Sequence, residues 1–113
     1  MIKVVSLIRK HPDLTTAQFE AYWREVHAPL VRERLPHMIH YCAGFPLPGA
    51  HGPVQVGALD YDAVVEIGFA DRATMEADMT SPAFLADDRA ASSARFMDMA
   101  ASRGMVVEVV DAP

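Results

Sequence analysis

Two segments of this chain, IKVVSLIR at 2–9 and MVVEVV at 105–110, carry apolar side chains at both odd and even positions. Successive residues of a strand point to opposite faces of a sheet, so a strand apolar at every position must be covered on both sides. A chain of 113 residues is a single domain by length, 1–113. It has helix enough for one covering layer, and the second cover has to come from elsewhere. At this size a monomer buries only about two-thirds of the surface of its unfolded chain. The economical solution is a homodimer with its two sheets packed face to face, since two-fold isologous contacts are the commonest assembly.

Between the two end strands the patterning alternates. After KHPD, the run Thr15-Thr16-Ala17-Gln18 reads as a capping box, flanked by the staple pair Leu14 and Phe19. Apolar residues then recur at Phe19, Tyr22, Trp23, Val26 and Leu30, the stripe of a helix lying on a sheet. That helix is expected to reach about Leu35, kinked at Pro29 and stopped by Pro36. Residues 37–44, HMIHYCAG, read as a second strand and 61–69, YDAVVEIGF, as a third. The stretch between them, rich in Pro and Gly, is long for a small domain, which fits either a lid over a site (46–60) or a hairpin tip. Asp71 caps a short helix through Met79, and Ser81-Pro82 opens another that continues in pieces to Ser102, with Phe96, Met97 and Met99 as core fillers. The order β-α-β-β-α-β is that of an α+β, ferredoxin-like sandwich, here forming a dimeric α/β barrel.

Several classes of function fall away. A formal net charge of -5 without an extended basic cluster leaves no footprint for nucleic acid. A single cysteine, Cys42, permits no intrachain disulfide and suits a reducing compartment. With no leader pattern and no apolar run of about 18 residues, the expectation is a cytoplasmic protein that does not engage a membrane. The five histidines lack the spacing of metal ligands, and His37 and His40, three apart on a strand, face opposite ways. No phosphate-binding glycine loop follows a strand and no nucleophile elbow is present. Chemistry without metal or cofactor, by proton transfer in an apolar pocket, is what remains.

Few residues suit such chemistry. His27 lies at the edge of the apolar stripe, beside a proline that leaves the Glu25 carbonyl without its helical partner, and this can tip the imidazole toward the sheet. The alternative is a half-exposed histidine bonded to a loop. Tyr41 shares one face of its strand with Ile39 and Ala43, whereas His40 shares the other with Met38 and Cys42. A phenol in low dielectric can donate to a substrate oxygen, or can simply be a core tyrosine. Asp62 and Glu66 share a strand face about 13 Å apart, too far to act as a pair. Asp62 is placed to orient an imidazole or a substrate hydroxyl. Glu66 faces the surface the dimer would cover, where desolvation would raise its pKa, or where it would pair with an arginine.

The blocks KHPDLTTAQFEAYWREVHAPLV, HMIHYCAG and YDAVVEIGFADRATMEADMTSP resemble the EthD family of dimeric α/β-barrel proteins, most specifically through W-x-x-x-H-x-P-L-V. The resemblance implies the barrel dimer and small-molecule metabolism: isomerases, dehydratases and decarboxylases of lactone, aromatic or polyketide substrates, and accessory proteins of ether breakdown. In the isomerase the motif histidine and a second-strand tyrosine line the pocket, matching His27 and Tyr41, while Ile67 stands where that enzyme carries a cysteine. The expected function is a cofactor-independent lyase or isomerase on a hydrophobic ligand. His27, Tyr41 and Asp62 would be catalytic, with Trp23, His40, Phe45 and Glu66 contacting substrate. The rival readings are an accessory binding protein of an oxidative degradation system and a cofactor-free or haem-dependent monooxygenase.

Overall fold

The computed structural model describes residues 1–50 and 59–113. Strand β1 (Ile2–Ile8) leads into α1 (Thr16–Tyr22), a π-helical turn (Trp23–His27) and α2 (Ala28–Arg34). Strands β2 (His40–Gly44) and β3 (Ala63–Phe69) follow, then α3 (Arg72–Met79), α4 (Asp87–Phe96) and β4 (Arg103–Glu108). The sheet order is β2-β3-β1-β4 with every neighbour antiparallel, so β3 is inserted between the two strands that the first helical segment joins. This is the ferredoxin-like arrangement.

Local signals act as the sequence implies. The Thr15 hydroxyl accepts from the Gln18 N–H at 3.1 Å and the Gln18 side chain accepts from the Thr15 N–H at 2.9 Å, closing the capping box. Asp71 caps α3 through the Thr74 N–H at 2.8 Å. Three boundaries differ most from expectation. Ser81 closes a single turn through the Phe84 N–H, and α4 starts only at Asp87. The chain leaves helix at Phe96, where Met97 bridges to Lys10. Strand β2 begins at His40 because residues 36–37 form a turn, tied down by the Asp78 carboxylate accepting from the His37 N–H at 2.7 Å.

The largest departure is the π turn. The Ala28 N–H bonds to the Trp23 carbonyl, five residues back, so one extra residue is inserted into the helix. A proline ring at 29 would press on the carbonyl four residues earlier, and widening the preceding turn relieves it. The insertion rotates everything after Trp23 by one position. Val26, expected on the buried stripe, is 46% exposed, while His27, Val31 and Leu35 take the inward positions.

On the sheet's helix-facing side, buried residues gather into two clusters. One is Ile8, Phe19, Ala63, Val65 and Phe96; the other is Val31, Leu35, Phe69 and Met75. Tyr41 packs against both. Between the clusters the helices do not close on the sheet.

Candidate active site

A cavity of about 200 Å³ occupies that gap. Its floor is the sheet, through Val4, Ser6, Tyr41 and Ile67, and its roof is helical, through Trp23, His27 and Arg89. The π turn is why His27 enters it. The imidazole is buried and packs against Phe96 with ring centroids 4.5 Å apart. Its Nδ1 lies 2.9 Å from Ser92 Oγ, which is 3.1 Å from the Tyr22 hydroxyl. Burial first, and the Arg89 charge second, push the imidazole down to about 4. At neutral pH the ring is uncharged and able to accept a proton.

Tyr41 stands below Trp23, their rings edge-on at 5.5 Å. Burial pushes its hydroxyl up to about 12, outweighing the opposing influence of Trp23 and Arg32. It therefore stays a proton donor. The buried Trp23 Nε1 has no hydrogen-bond partner of good geometry among the described residues, which leaves an indole N–H at the cavity wall. Arg89 stacks on Phe84 at 4.1 Å and donates to the Phe84 carbonyl at 2.6 Å and to Ser93 Oγ at 3.3 Å. Its guanidinium gives the apolar chamber one fixed positive charge.

His27, Tyr41 and Trp23 are thus brought together as the sequence suggests. The other expected site residues stand elsewhere. Asp62 accepts from the Lys10 N–H at 2.8 Å and pins the end of β1, so its carboxylate is occupied outside the cavity. Phe45 supports the site from behind, edge-on to Phe19 and Trp23. His40 and Glu66 lie on the opposite face of the sheet. Glu66 is also not raised in pKa: the Lys3 ammonium 3.1 Å away pulls its carboxyl below the ordinary value. Met97 packs against the core and also lines the cavity, whereas Met99 lines the cavity and is 57% exposed. The 46–60 lid falls largely at 51–58, outside the described residues.

Ser92, Arg89 and Tyr22 were not foreseen as parts of the site. Arg89 and Ser92 sit in a polar helix, DDRAASSARF, with no signal beyond two adjacent serines that fall buried at 92 and 93, and Tyr22 ends α1 on the apolar stripe, where it reads as core.

The model of the EthD domain matches residues 11–100. The chain belongs to the EthD family. Solved structures agree on the fold. An EthD family protein from Bacillus halodurans superposes with a TM-score of 0.71 at 18% identity, covering 97% of this chain and 99% of its own. A dimeric ferredoxin-like protein of unknown function from Thermobifida fusca gives 0.65 at 18% identity, over 96% and 90%. SnoaB, a cofactor-independent oxygenase from Streptomyces nogalater, gives 0.65 at 14%, over 98% and 94%. No curated protein sequence matches the chain. Among the described residues no helix is long and apolar enough to cross a membrane.

Proposed function

We propose that this EthD protein is a cofactor-independent enzyme that moves a proton on a small hydrophobic carbon acid, such as an enolisable lactone, aryl ketone or polyketide-like ring. The observation that carries the reading is a buried neutral imidazole and a half-buried neutral phenol lining one apolar cavity. With Nδ1 engaged by Ser92, Nε2 is the nitrogen left for the ligand. With Nδ1–H donating to Ser92 Oγ, Nε2 is a bare base; when Nε2 takes the substrate's proton the ring becomes an imidazolium carrying both N–H groups, its charge balanced by the enolate that forms. Ser92 Oγ accepts from Nδ1–H in both states and turns its own O–H toward the Tyr22 hydroxyl, which fixes the ring's orientation throughout. Such a base can take a proton from one carbon and return it to another, as isomerisation and elimination require. Tyr41 hydrogen-bonds the enolate oxygen as charge develops there, and Arg89 supplies the long-range attraction. The protein acts as a homodimer, its outer sheet faces packed together; the dimeric relative from Thermobifida fusca supports this assembly.

Deuterium wash-in tests the reading without knowledge of the product. Enolisable lactones and aryl ketones are incubated with the protein in D₂O and followed by NMR. The wild type is expected to accelerate exchange at the α-carbon, and His27→Ala to lose about 10²–10⁴-fold of that acceleration. Equal exchange in both proteins removes His27 from the chemistry. Ligands that bind tightly without exchanging would instead mark an accessory binding protein.

A second reading is favoured by the likeness to a cofactor-independent oxygenase. Its first step would be the same abstraction, with the carbanion then captured by dioxygen. Oxygen consumption coupled to loss of the substrate proton distinguishes it from isomerisation.

A further inference from the structure

On the other face of the sheet, three side chains converge that take no part in the cavity. His40 and Cys42 are two apart on β2 and so share a face, and Glu66 of β3 is the direct cross-strand partner of Cys42. The ring nitrogen His40 Nε2 is 3.4 Å from Cys42 Sγ, Cys42 Sγ is 3.6 Å from Glu66 Oε2, and His40 Nε2 is 3.9 Å from that same oxygen. We propose that His40, Cys42 and Glu66 form a binding site for a divalent transition-metal ion of the zinc type.

The distances decide the class of ligand. Around a tetrahedral ion, with bonds of about 2.0–2.2 Å to nitrogen and oxygen and about 2.3 Å to sulfur, the ligand atoms lie about 3.4–3.6 Å apart. Two of the three separations fall in that range, and the third needs a shift of a few tenths of an ångström. The donor set, one imidazole, one thiolate and one carboxylate, is a mixture that a borderline ion prefers, and hard calcium or magnesium does not. The three ligands rise from one sheet surface and leave the fourth position for a water or for a group of the sheet packed against it. Gly68, paired with His40, keeps the imidazole's place open, because a Cβ there would stand 2.9 Å from His40 Cβ. Lys3 bonds Glu66 through Oε1 at 3.1 Å, which fixes the carboxylate and turns Oε2 toward the other two groups. On binding, the Cys42 thiol gives its proton to solvent and the thiolate takes its place on the ion.

The test uses the purified full chain and cobalt(II) alone as the probe. The expected result is a thiolate-to-cobalt charge-transfer band that saturates at one ion per chain. It should be abolished in Cys42→Ser and bound at least about tenfold more weakly in His40→Ala and Glu66→Gln. The absence of a band at saturating cobalt overturns the site, as does a band that the three substitutions leave unchanged. Should a variant fail to fold by circular dichroism, the wild type alone decides. Zinc must then slow alkylation of Cys42 by iodoacetamide about tenfold or more, and unslowed alkylation shows the trio to be no more than a hydrogen-bonded cluster. Because the readouts are spectral and chemical, neither depends on His27 or on turnover.

Discussion

The two faces of this sheet are built from alternate residues of the same strands, yet they handle polar groups in opposite ways. Toward the helices β1, β2 and β3 present Val4, Ser6, Tyr41, Val65 and Ile67, and ionisable groups there are kept neutral by removal of water. Away from the helices the same strands present Lys3, His40, Cys42 and Glu66, in a half-exposed group where opposite charges meet directly. One residue of slip in any strand would exchange the two sets. The inner face controls protonation by desolvation and the outer face by pairing. The two should therefore fail differently: inner changes should be costly and indifferent to salt, outer changes mild and sensitive to it.

The severest break is on the inner side. Phe96 is 1% exposed, stacks on Phe19 and Tyr22, and carries the His27 ring. Phe96→Ala should cost about 3–5 kcal/mol in urea unfolding, unchanged by added salt, at a fixed protein concentration so that self-association does not enter. A loss under about 1 kcal/mol would mean that the two inner clusters do not behave as a packed core.

Protonation of His27 should come next. Its folded-state pKa, about 4, lies below the unfolded value of 6.5, so between those pH values the unfolded chain binds more protons. Stability is then complete above about pH 6.5, falls as the solution is acidified toward pH 4, and levels off below. The shift corresponds to on the order of 3 kcal/mol. In His27→Gln that acid-side slope should flatten. If the slope is the same in both proteins, the imidazole is not desolvated.

How much of this was legible in sequence follows from which signals are local. The capping box, the strand periodicities and the apolar end strands are short-range statements, and they delivered the element order and the topology. The site was legible in part. Trp23, His27 and Tyr41 line one cavity, but a stripe read at 3.6 residues per turn put Val26 inside and His27 at the rim, because it assumes an uninterrupted helix. Pro29 was read as a kink when its effect was a change of register. Asp62 stands apart from the cavity because a carboxylate at a strand start serves a backbone N–H as readily as a substrate. Ser92 and Arg89 reach the cavity only through the packing of α4 against the π turn, which no local pattern reports. On the outer face the His-x-Cys pair is local, but Glu66, the third member of the trio, lies across the strands.

Between these extremes lies the bare apolar half of the outer face. Met105 on β4 is 63% exposed and pairs in register with Val5 of β1. If two copies pack through this face, Met105→Glu places a charge in a desolvated contact and should weaken association at least about tenfold, the effect of roughly 1.4 kcal/mol. Sedimentation of the wild type as a monomer at micromolar concentration, or an unchanged dimer in the variant, would locate the contact elsewhere.

The mildest test is the ion pair itself. Lys3 Nζ and Glu66 Oε1 are 3.1 Å apart with side chains 18% and 33% exposed, so water screens the attraction and the two long side chains lose freedom in making it. Lys3→Met keeps most of the aliphatic stem that covers the sheet and removes only the charge. The expected loss is about 0.2–1 kcal/mol, shrinking further between low salt and 1 M salt as the screening length falls to about 3 Å. The Glu66 carboxyl, released from the ammonium that holds it down, should at the same time move back up toward its ordinary value in an NMR titration. A loss of several kcal/mol that ignores salt would mean that this pair is desolvated like the inner groups, and that the contrast between the two faces does not hold at β1.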